Sequence, residues 1–296
     1  MRDEGTWGFA EGDQVAPGRH VSRLLGGGRR YEAYLAWDDE LHALVVVKVL
    51  RPALVDDPAT LAGLASEARV LASVNHPIIV RSFDAVLDGP RPHLVLEYLD
   101  GPRLSTLVRR YGVIVEQLLP LALDLCSALH YLHARELLHL DVKPRNVVMS
   151  SRPRLIDLSI AMSISEARTV TSAVGTDGYM APEQCAPARF GEIGPGSDVW
   201  GLGVTLYEAL ARRRPFVALG GERHPQLEAR PDPLPKETPA FLADAVLACL
   251  EPDPAARPRA SELAAALEPW TAALPGPRLG LFRPGSRTQR SAFATP

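Results

Sequence analysis

Alternating apolar and polar positions predict a series of β-strands in the first hundred residues. The strand-like runs span residues 20–25, 31–37, 44–50, 78–86 and 93–98. One helix is predicted between them, over residues 60–74, where helical spacing puts Leu61, Leu64, Ala68 and Leu71 on one face. The sequence N-H-P at 75–77 ends that helix, because a residue before proline avoids helical geometry.

Helical patterns dominate the remainder of the chain. They cover residues 104–111 and about 117–134, and they return after residue 198, interrupted by a proline-rich stretch at 229–239. Strands followed by helices predict an α+β fold with a small β-rich lobe and a larger, mainly helical lobe. The predicted divisions are a lead-in (1–17), the β-rich lobe (18–97), the helical lobe (98–270) and a tail (271–296).

The predicted tail is rich in Gly, Pro and Ser and contains four arginines and no acidic residue. This composition predicts disorder. The alternative is a docking or autophosphorylated tail, with Ser286, Thr288 and Ser291 as the acceptors.

The composition excludes several classes of protein. The 296 residues are 46% hydrophobic and 23% charged, with a formal net charge of −3, which argues against binding to nucleic acid or to an anionic membrane. No run approaches the roughly 18 apolar residues of a membrane helix, and the first residues lack a signal peptide, so no membrane insertion is expected. Three widely spaced cysteines indicate thiols of a reducing compartment, and we expect a cytoplasmic protein.

Lysine is rare in this chain. Of the 32 basic residues only Lys48, Lys143 and Lys236 are lysine, and the other 29 are arginine. A lysine retained against this bias indicates that its position needs a compact ammonium group. The alternative is that the few lysines occupy these positions by chance.

A short polar segment carries the strongest chemical signal. The sequence H-L-D-V-K-P-R-N at 139–146 contains Asp141, Lys143 and Asn146, and its proline excludes a helix. Asp157 follows Asn146 by eleven residues, after a short apolar run. Two carboxylates and an amide that converge in this way suit Mg²⁺ with water and phosphate.

This region resembles the catalytic loop and the metal-binding D-F-G motif of eukaryotic-type serine/threonine protein kinases, the Hanks type that bacteria also make. The resemblance covers about residues 18–268, with the other motifs in the expected order. These motifs are V-V-V-K ending at Lys48, Glu67 on the following helix, H-L-V-L-E-Y with Leu96 as gatekeeper, G-T-D-G-Y-M-A-P-E at 175–183, S-D-V-W at 197–200 with Asp198, and Arg257 as partner of Glu183.

The resemblance implies the fold of a bilobal kinase and the transfer of phosphate from Mg-ATP to Ser/Thr hydroxyls of proteins, the chain itself included. The implied catalytic residues are Asp141, Lys143, Lys48 and Glu67. The implied ATP-binding residues are Leu25, Gly26, Gly28, Ala33, Val46, Lys48, Leu96, Glu97, Leu99, Asn146, Val148 and Asp157. Asn146 and Asp157 are the implied Mg²⁺ ligands, with Mn²⁺ as an alternative ion. Nothing in the sequence specifies an oligomeric state.

Two departures from the family lie near the catalytic loop. Leu140 replaces the arginine that receives an activation-loop phosphate, so we expect activity not to depend strictly on phosphorylation at Thr169, Thr171 or Ser172. D-L-S at 157–159 replaces D-F-G. Leu158 is expected to fill the apolar slot between Leu71 and His139, while Ser159 would cost about 1–2 kcal/mol if a positive φ were needed there.

The glycine-rich stretch at 24–38 departs as well. Three glycines between two strands are more often only a turn, and Tyr31 occupies the place of the third glycine of the family motif, which is expected to stiffen the loop. Ala33 and Val46 stand where kinases place valine and alanine, a trade that conserves volume. The departures at 31, 140 and 159 motivate an alternative function, a nucleotide-binding pseudokinase that scaffolds or regulates. All six charged or amide residues of the site are nevertheless retained.

Overall fold

The computed structural model describes residues 5–217 and 223–274. The predicted tail beyond residue 274, with Ser286, Thr288 and Ser291, lies outside the described residues. Strands and helices follow the predicted order. The strands are β1 (Gln14–Ala16), β2 (Arg19–Gly27), β3 (Tyr31–Asp38), β4 (Ala43–Leu50), β5 (Ser82–Val86), β6 (His93–Glu97), β7 (Leu137–Leu138), β8 (Val147–Met149), β9 (Pro153–Leu155) and β10 (Met162–Ser163). The helices are α1 (Pro58–Ser73), α2 (Leu104–Arg110), α3 (Val115–His133), α4 (Ile164–Ala167), α5 (Pro182–Cys185), α6 (Pro187–Phe190), α7 (Pro195–Ala211), α8 (Ala240–Ala248) and α9 (Ala260–Ala272).

The first lobe is built on a six-stranded antiparallel sheet in the order β1-β2-β3-β4-β6-β5. The β-branched run of β4 lies near its centre, because such residues suit a strand that packs on both faces. Val45, Val47 and Val49 pack on the outer face, and Trp7 and Phe9 of the N-terminal segment cover that cluster. The sheet thus begins with β1, inside the stretch predicted as a lead-in.

Helix α1 begins two residues before the predicted start. Asp57 caps it by accepting a hydrogen bond from the Thr60 amide at 2.7 Å, and Pro58 occupies the first turn. Its buried face is formed by Thr60, Leu64, Glu67, Val70 and Leu71. The predicted buried face of the helix is therefore partly wrong. Leu61 and Ala68 are only partly buried, and the carboxylate of Glu67 faces the core instead.

The second lobe is mainly helical. Helix α7 is buried along most of its length and packs with α3, α8 and α9 around one apolar core that extends to Leu64 and Leu71 of α1. The short pairs β7–β10 and β8–β9 hold the segments that carry the candidate catalytic residues. The predicted α+β, two-lobed fold is confirmed. Within the described ranges, none of the helices has the length and apolar character needed to cross a membrane.

Candidate active site

The segment after β7 is fixed by a buried carboxylate on α7. Asp198 accepts hydrogen bonds from the backbone amides of His139 at 2.9 Å and Leu140 at 2.7 Å, and it contacts His133 Nε2 at 2.9 Å. Burial acts to raise the pKa of Asp198, but the hydrogen bonds and positive charge of His133 lower it overall. Leu140 adopts a positive φ of 62°. The loop is thereby held in a strained geometry that presents the next residue, Asp141, to the cleft.

Asp141 lies at the centre of a compact hydrogen-bond network. Its Oδ2 accepts from Lys143 Nζ at 2.6 Å and from Asn146 Nδ2 at 3.0 Å, and its Oδ1 accepts from Thr176 Oγ1 at 2.6 Å. Lys143 Nζ also contacts Thr176 Oγ1 at 2.6 Å. A carboxylate offers about four acceptor sites, so three donors leave one for a substrate hydroxyl.

Lys48 links three elements of the cleft. From β4 its Nζ lies 2.8 Å from both carboxylate oxygens of Glu67 on α1 and 3.1 Å from Asp157 Oδ1 after β9. Burial would lower the pKa of Lys48, but Glu67 and Asp157 raise it. Burial raises the pKa of Glu67, and Lys48 opposes that rise. The ammonium is held charged between two carboxylates.

Asp157 itself carries the local backbone strain. Its φ is 68°, whereas Ser159 is not among the residues with positive φ, so the condition for a cost at Ser159 is not met. Burial tends to raise the pKa of Asp157, but the charge and hydrogen bond of Lys48 lower it to about 2. Leu158 is fully buried in the core cluster that contains Leu71.

The residue in place of the third glycine reaches into the cleft. The Tyr31 ring centroid lies 4.5 Å from Lys48 Nζ, and the ring packs against the core cluster. Sequence reasoning expected Tyr31 to stiffen the loop and missed this contact, because it depends on the pairing of β3 with β4. The turn is closed by the Gly28 amide, which donates to the Tyr31 carbonyl at 3.0 Å.

Arg51 supports the same turn from the end of β4. Its Nε donates to the Gly28 carbonyl at 2.8 Å, and its Nη1 contacts the Gly5 carbonyl at 2.7 Å and Glu32 Oε1 at 3.1 Å. Trp7 joins this network, since its amide donates to Glu32 at 3.3 Å and its indole Nε1 donates to the Leu50 carbonyl at 2.7 Å. The N-terminal segment is thereby connected to the glycine-rich turn.

An apolar surface suited to a planar base lies beside Lys48. Strand pairing sets Val46 opposite Leu35 and Leu96, and Ala33 opposite Lys48, so Ala33, Val46, Lys48 and Leu96 share the inner face of the sheet. Ala33 and Val46 are diagonal neighbours on that face, so exchanging valine and alanine between the two positions leaves the total side-chain volume there unchanged. Val148 is buried on β8, and Leu25 is 37% exposed near the end of β2. Gly26, beside Leu25, has a φ of 141°.

The irregular segment after β6, which connects the lobes, offers free backbone groups at Leu99. The N–H and C=O of Leu99 make no hydrogen bond with any described residue. The Glu97 side chain is bound to Arg154 at 3.1 Å, and its amide donates to the Arg81 carbonyl at 3.0 Å. A base could therefore bind to the backbone of Leu99, whereas Glu97 can contribute only its carbonyl oxygen.

The two predicted metal ligands present oxygen donors. Asp157 is ionised. The side-chain amide of Asn146 donates from Nδ2 to the carbonyl oxygen and to the carboxylate of Asp141, so the Oδ1 of Asn146 accepts from no described donor. Among the described residues, no group of three or more His, Cys, Asp or Glu side chains is arranged to hold a metal. Asn146 and Asp157 thus suit a magnesium ion that takes its other ligands from water and phosphate.

The activation segment, the stretch from Asp157 to Glu183 that runs from D-L-S to A-P-E, packs on an apolar cluster. Leu140 is 3% exposed and packs with Leu138, Ala167 and Ile193. Val170 and Val174 pack against this cluster from the segment itself. Farther along, Glu183 forms a buried pair with Arg257, with Oε1–Nη1 at 2.7 Å and Oε2–Nη2 at 2.9 Å. The segment is ordered by packing and by this pair, and Leu140 supplies no charge for a phosphate.

Comparison with known proteins agrees with these motifs. The family model described as the protein kinase domain matches residues 19–270. Serine/threonine-protein kinase PknB of Mycobacterium leprae is 36% identical over 222 residues, which are 72% of this chain and 35% of that protein. PknB of Mycolicibacterium smegmatis is 36% identical over 226 residues, or 73% and 36%. Serine/threonine-protein kinase PknA of Mycobacterium tuberculosis is 32% identical over 256 residues, or 81% and 58%. The chain spans about a third of the PknB relatives and over half of PknA.

Proposed function

Because the chain belongs to the protein kinase domain family, we propose that it transfers the γ-phosphate of ATP to serine and threonine hydroxyls of protein substrates. The main support for the proposal is the contact of the Lys48 ammonium with both Glu67 and Asp157. This contact joins the residue suited to hold phosphates with the residue suited to hold the metal.

The chain's own residues then act mainly by position and charge. Mg-ATP, when bound, supplies the phosphoryl group, and the metal offsets its negative charge. Asp141 accepts the hydrogen bond of the substrate hydroxyl in its remaining acceptor site and aligns that oxygen. Lys143 lies between Asp141 and Thr176 and stabilises negative charge near the transferred group.

The departures that motivate a pseudokinase are compatible with transfer. Tyr31 packs beside Lys48 without separating it from Glu67, Leu140 is buried in an apolar cluster, and Ser159 does not adopt a positive φ. We further propose Mg²⁺ as the ion and the cytoplasm as the compartment. The second point is supported by the three cysteines, which are all free thiols.

Transfer can be tested by incubating the full chain with γ-labelled ATP, Mg²⁺ and a generic acceptor protein such as casein. We expect label in phosphoserine and phosphothreonine of the acceptor or of the chain, and none in phosphotyrosine. The matched control is Lys48→Met, which keeps the length of the side chain and removes its charge. ATP binding without any transfer by the wild-type chain would support the pseudokinase instead.

A further inference from the structure

We propose that Arg103 and Arg145 form a subsite for an acidic or phosphorylated side chain of the protein substrate. The inference rests on the proposed kinase function and names the class of substrate that this cleft selects. It arises from the Arg103 guanidinium, which lies against the backbone of Arg145 next to the catalytic loop.

The two arginines meet at one place in the fold. Arg103 directly precedes α2, and its backbone is bridged to Val148 of β8. Its Nη1 donates to the Arg145 carbonyl oxygen at 2.6 Å. Arg145 lies in the turn Pro144–Asn146, between two residues whose side chains bind Asp141. The pair therefore borders the position at which the substrate hydroxyl must bind.

Within the described part of the chain, the pair differs from many other arginines in its ion pairing. Neither guanidinium forms an ion pair with a described carboxylate, although many other arginines of the chain do, including Arg154 with Glu97 and Arg257 with Glu183. Partial burial lowers the pKa of Arg103, the positive charge of Arg145 lowers it further, and the more weakly acting negative charge of Asp157 opposes this. Two neighbouring arginines without a carboxylate in direct contact favour binding of an anion.

The location favours a substrate side chain over a nucleotide phosphate as the source of this anion. Lys48 already faces the metal ligand Asp157, whereas Arg145 is exposed and neighbours the residues that contact Asp141. An extended peptide rises roughly 3.3 Å per residue, so an acidic side chain about two to four residues from the acceptor lies within reach of the pair. The planar guanidinium group of arginine can bind a carboxylate or a phosphate with two parallel hydrogen bonds.

The test uses threonine peptides that differ at one position. Glu, Gln, Lys or phosphoserine is placed two to four residues to either side of the threonine, and KM and kcat are measured with the full chain. We expect at least one position at which Glu or phosphoserine lowers the peptide KM about fivefold to tenfold relative to Gln. Arg145→Glu should abolish that preference and favour Lys at the same position, while Arg110→Glu on the exposed face of α2 serves as the matched charge-reversal control.

Two further measurements separate the possible outcomes. The KM for ATP identifies the source of the anion, and a rise in it alone on Arg145→Glu would overturn the proposal in favour of nucleotide binding. Anisotropy of the labelled Glu and Gln peptides tests the subsite without any transfer, so it remains informative if the chain proves to be a pseudokinase. Equal binding of the two peptides at every position, at low ionic strength where exposed charges act most strongly, also overturns it.

Discussion

Arg51 donates a hydrogen bond from its Nε to the carbonyl oxygen of Gly28 at 2.8 Å, and so connects the end of β4 to the glycine-rich turn. The same guanidinium contacts Gly5 and Glu32, which places the N-terminal segment behind the turn. The glycine-rich turn, which we propose covers the phosphates of ATP, is thus supported from outside the cleft.

Arg51→Ala should therefore loosen the glycine-rich turn. We expect the KM for ATP to rise about threefold to tenfold, the range for losing one or two such hydrogen bonds, while kcat changes little. Steady-state kinetics with varied ATP measures both constants. Arg51→Lys should recover part of the effect, and Arg23→Ala, an exposed arginine of β2, is the control. A loss of kcat with unchanged KM would contradict this role.

Tyr31 should contribute to ATP binding through its ring. Tyr31→Phe keeps the ring beside Lys48 and should leave ATP affinity unchanged. Tyr31→Gly removes the cation–π contact, and ATP affinity should fall by no more than about tenfold, since losing such a contact at about 1 kcal/mol corresponds to about fivefold. Fluorescence titration with a labelled nucleotide measures this difference. Complete loss of binding in Tyr31→Gly would show that the tyrosine contacts the nucleotide directly.

Leu140 should make activity independent of activation-segment phosphate. The triple variant Thr169→Ala, Thr171→Ala, Ser172→Ala should retain transfer to a peptide within about twofold, because the buried Leu140 supplies no charge for those sites. Initial rates after phosphatase treatment of the wild-type chain give the same comparison. A large loss of activity in both experiments would show that another cation receives a phosphate.

Replacing that leucine by the family's arginine should damage the fold. Leu140→Arg buries a charge within the apolar cluster of Leu138, Ala167 and Ile193, and we expect a loss of about 3 kcal/mol or more in the free energy of unfolding. Urea denaturation measures this loss, with Leu140→Met as the volume-conserving control. A variant as stable as wild type would mean that the cluster readily admits the guanidinium.

The pKa of Asp157 leads to a prediction for acid stability. Its value is lowered from 3.8 to about 2 in the folded chain, so the ionised group stabilises the fold above pH 4, and this contribution is lost as pH falls from 4 toward 2. Asp157→Asn should show a smaller fall in the thermal midpoint than wild type between pH 5 and 3. Differential scanning calorimetry at several pH values checks this, with Asp88→Asn at an exposed loop position as the control. Parallel curves for wild type and Asp157→Asn would contradict the lowered pKa.

Much of the site could be predicted from sequence because its residues are close together along the chain. Asp141, Lys143 and Asn146 lie within six residues, and a proline fixes their loop. The contacts that were missed join distant segments, such as Trp7 with Leu50, and local periodicity carries no information about such pairs. The positive φ at Asp157 was missed for a similar reason, since Lys48 binds that carboxylate from the other lobe.

Comparison of wild type with Asp141→Asn tests most directly whether the chain transfers phosphate with Asp141 as the residue that accepts the substrate hydroxyl. Asparagine keeps the size of the side chain but removes the charge that accepts the substrate hydroxyl. Label transfer from γ-labelled ATP should fall about 100-fold or more, while nucleotide affinity, measured by calorimetry, stays within about twofold. Equal transfer by wild type and Asp141→Asn would contradict the role assigned to Asp141 and the catalytic account built on it.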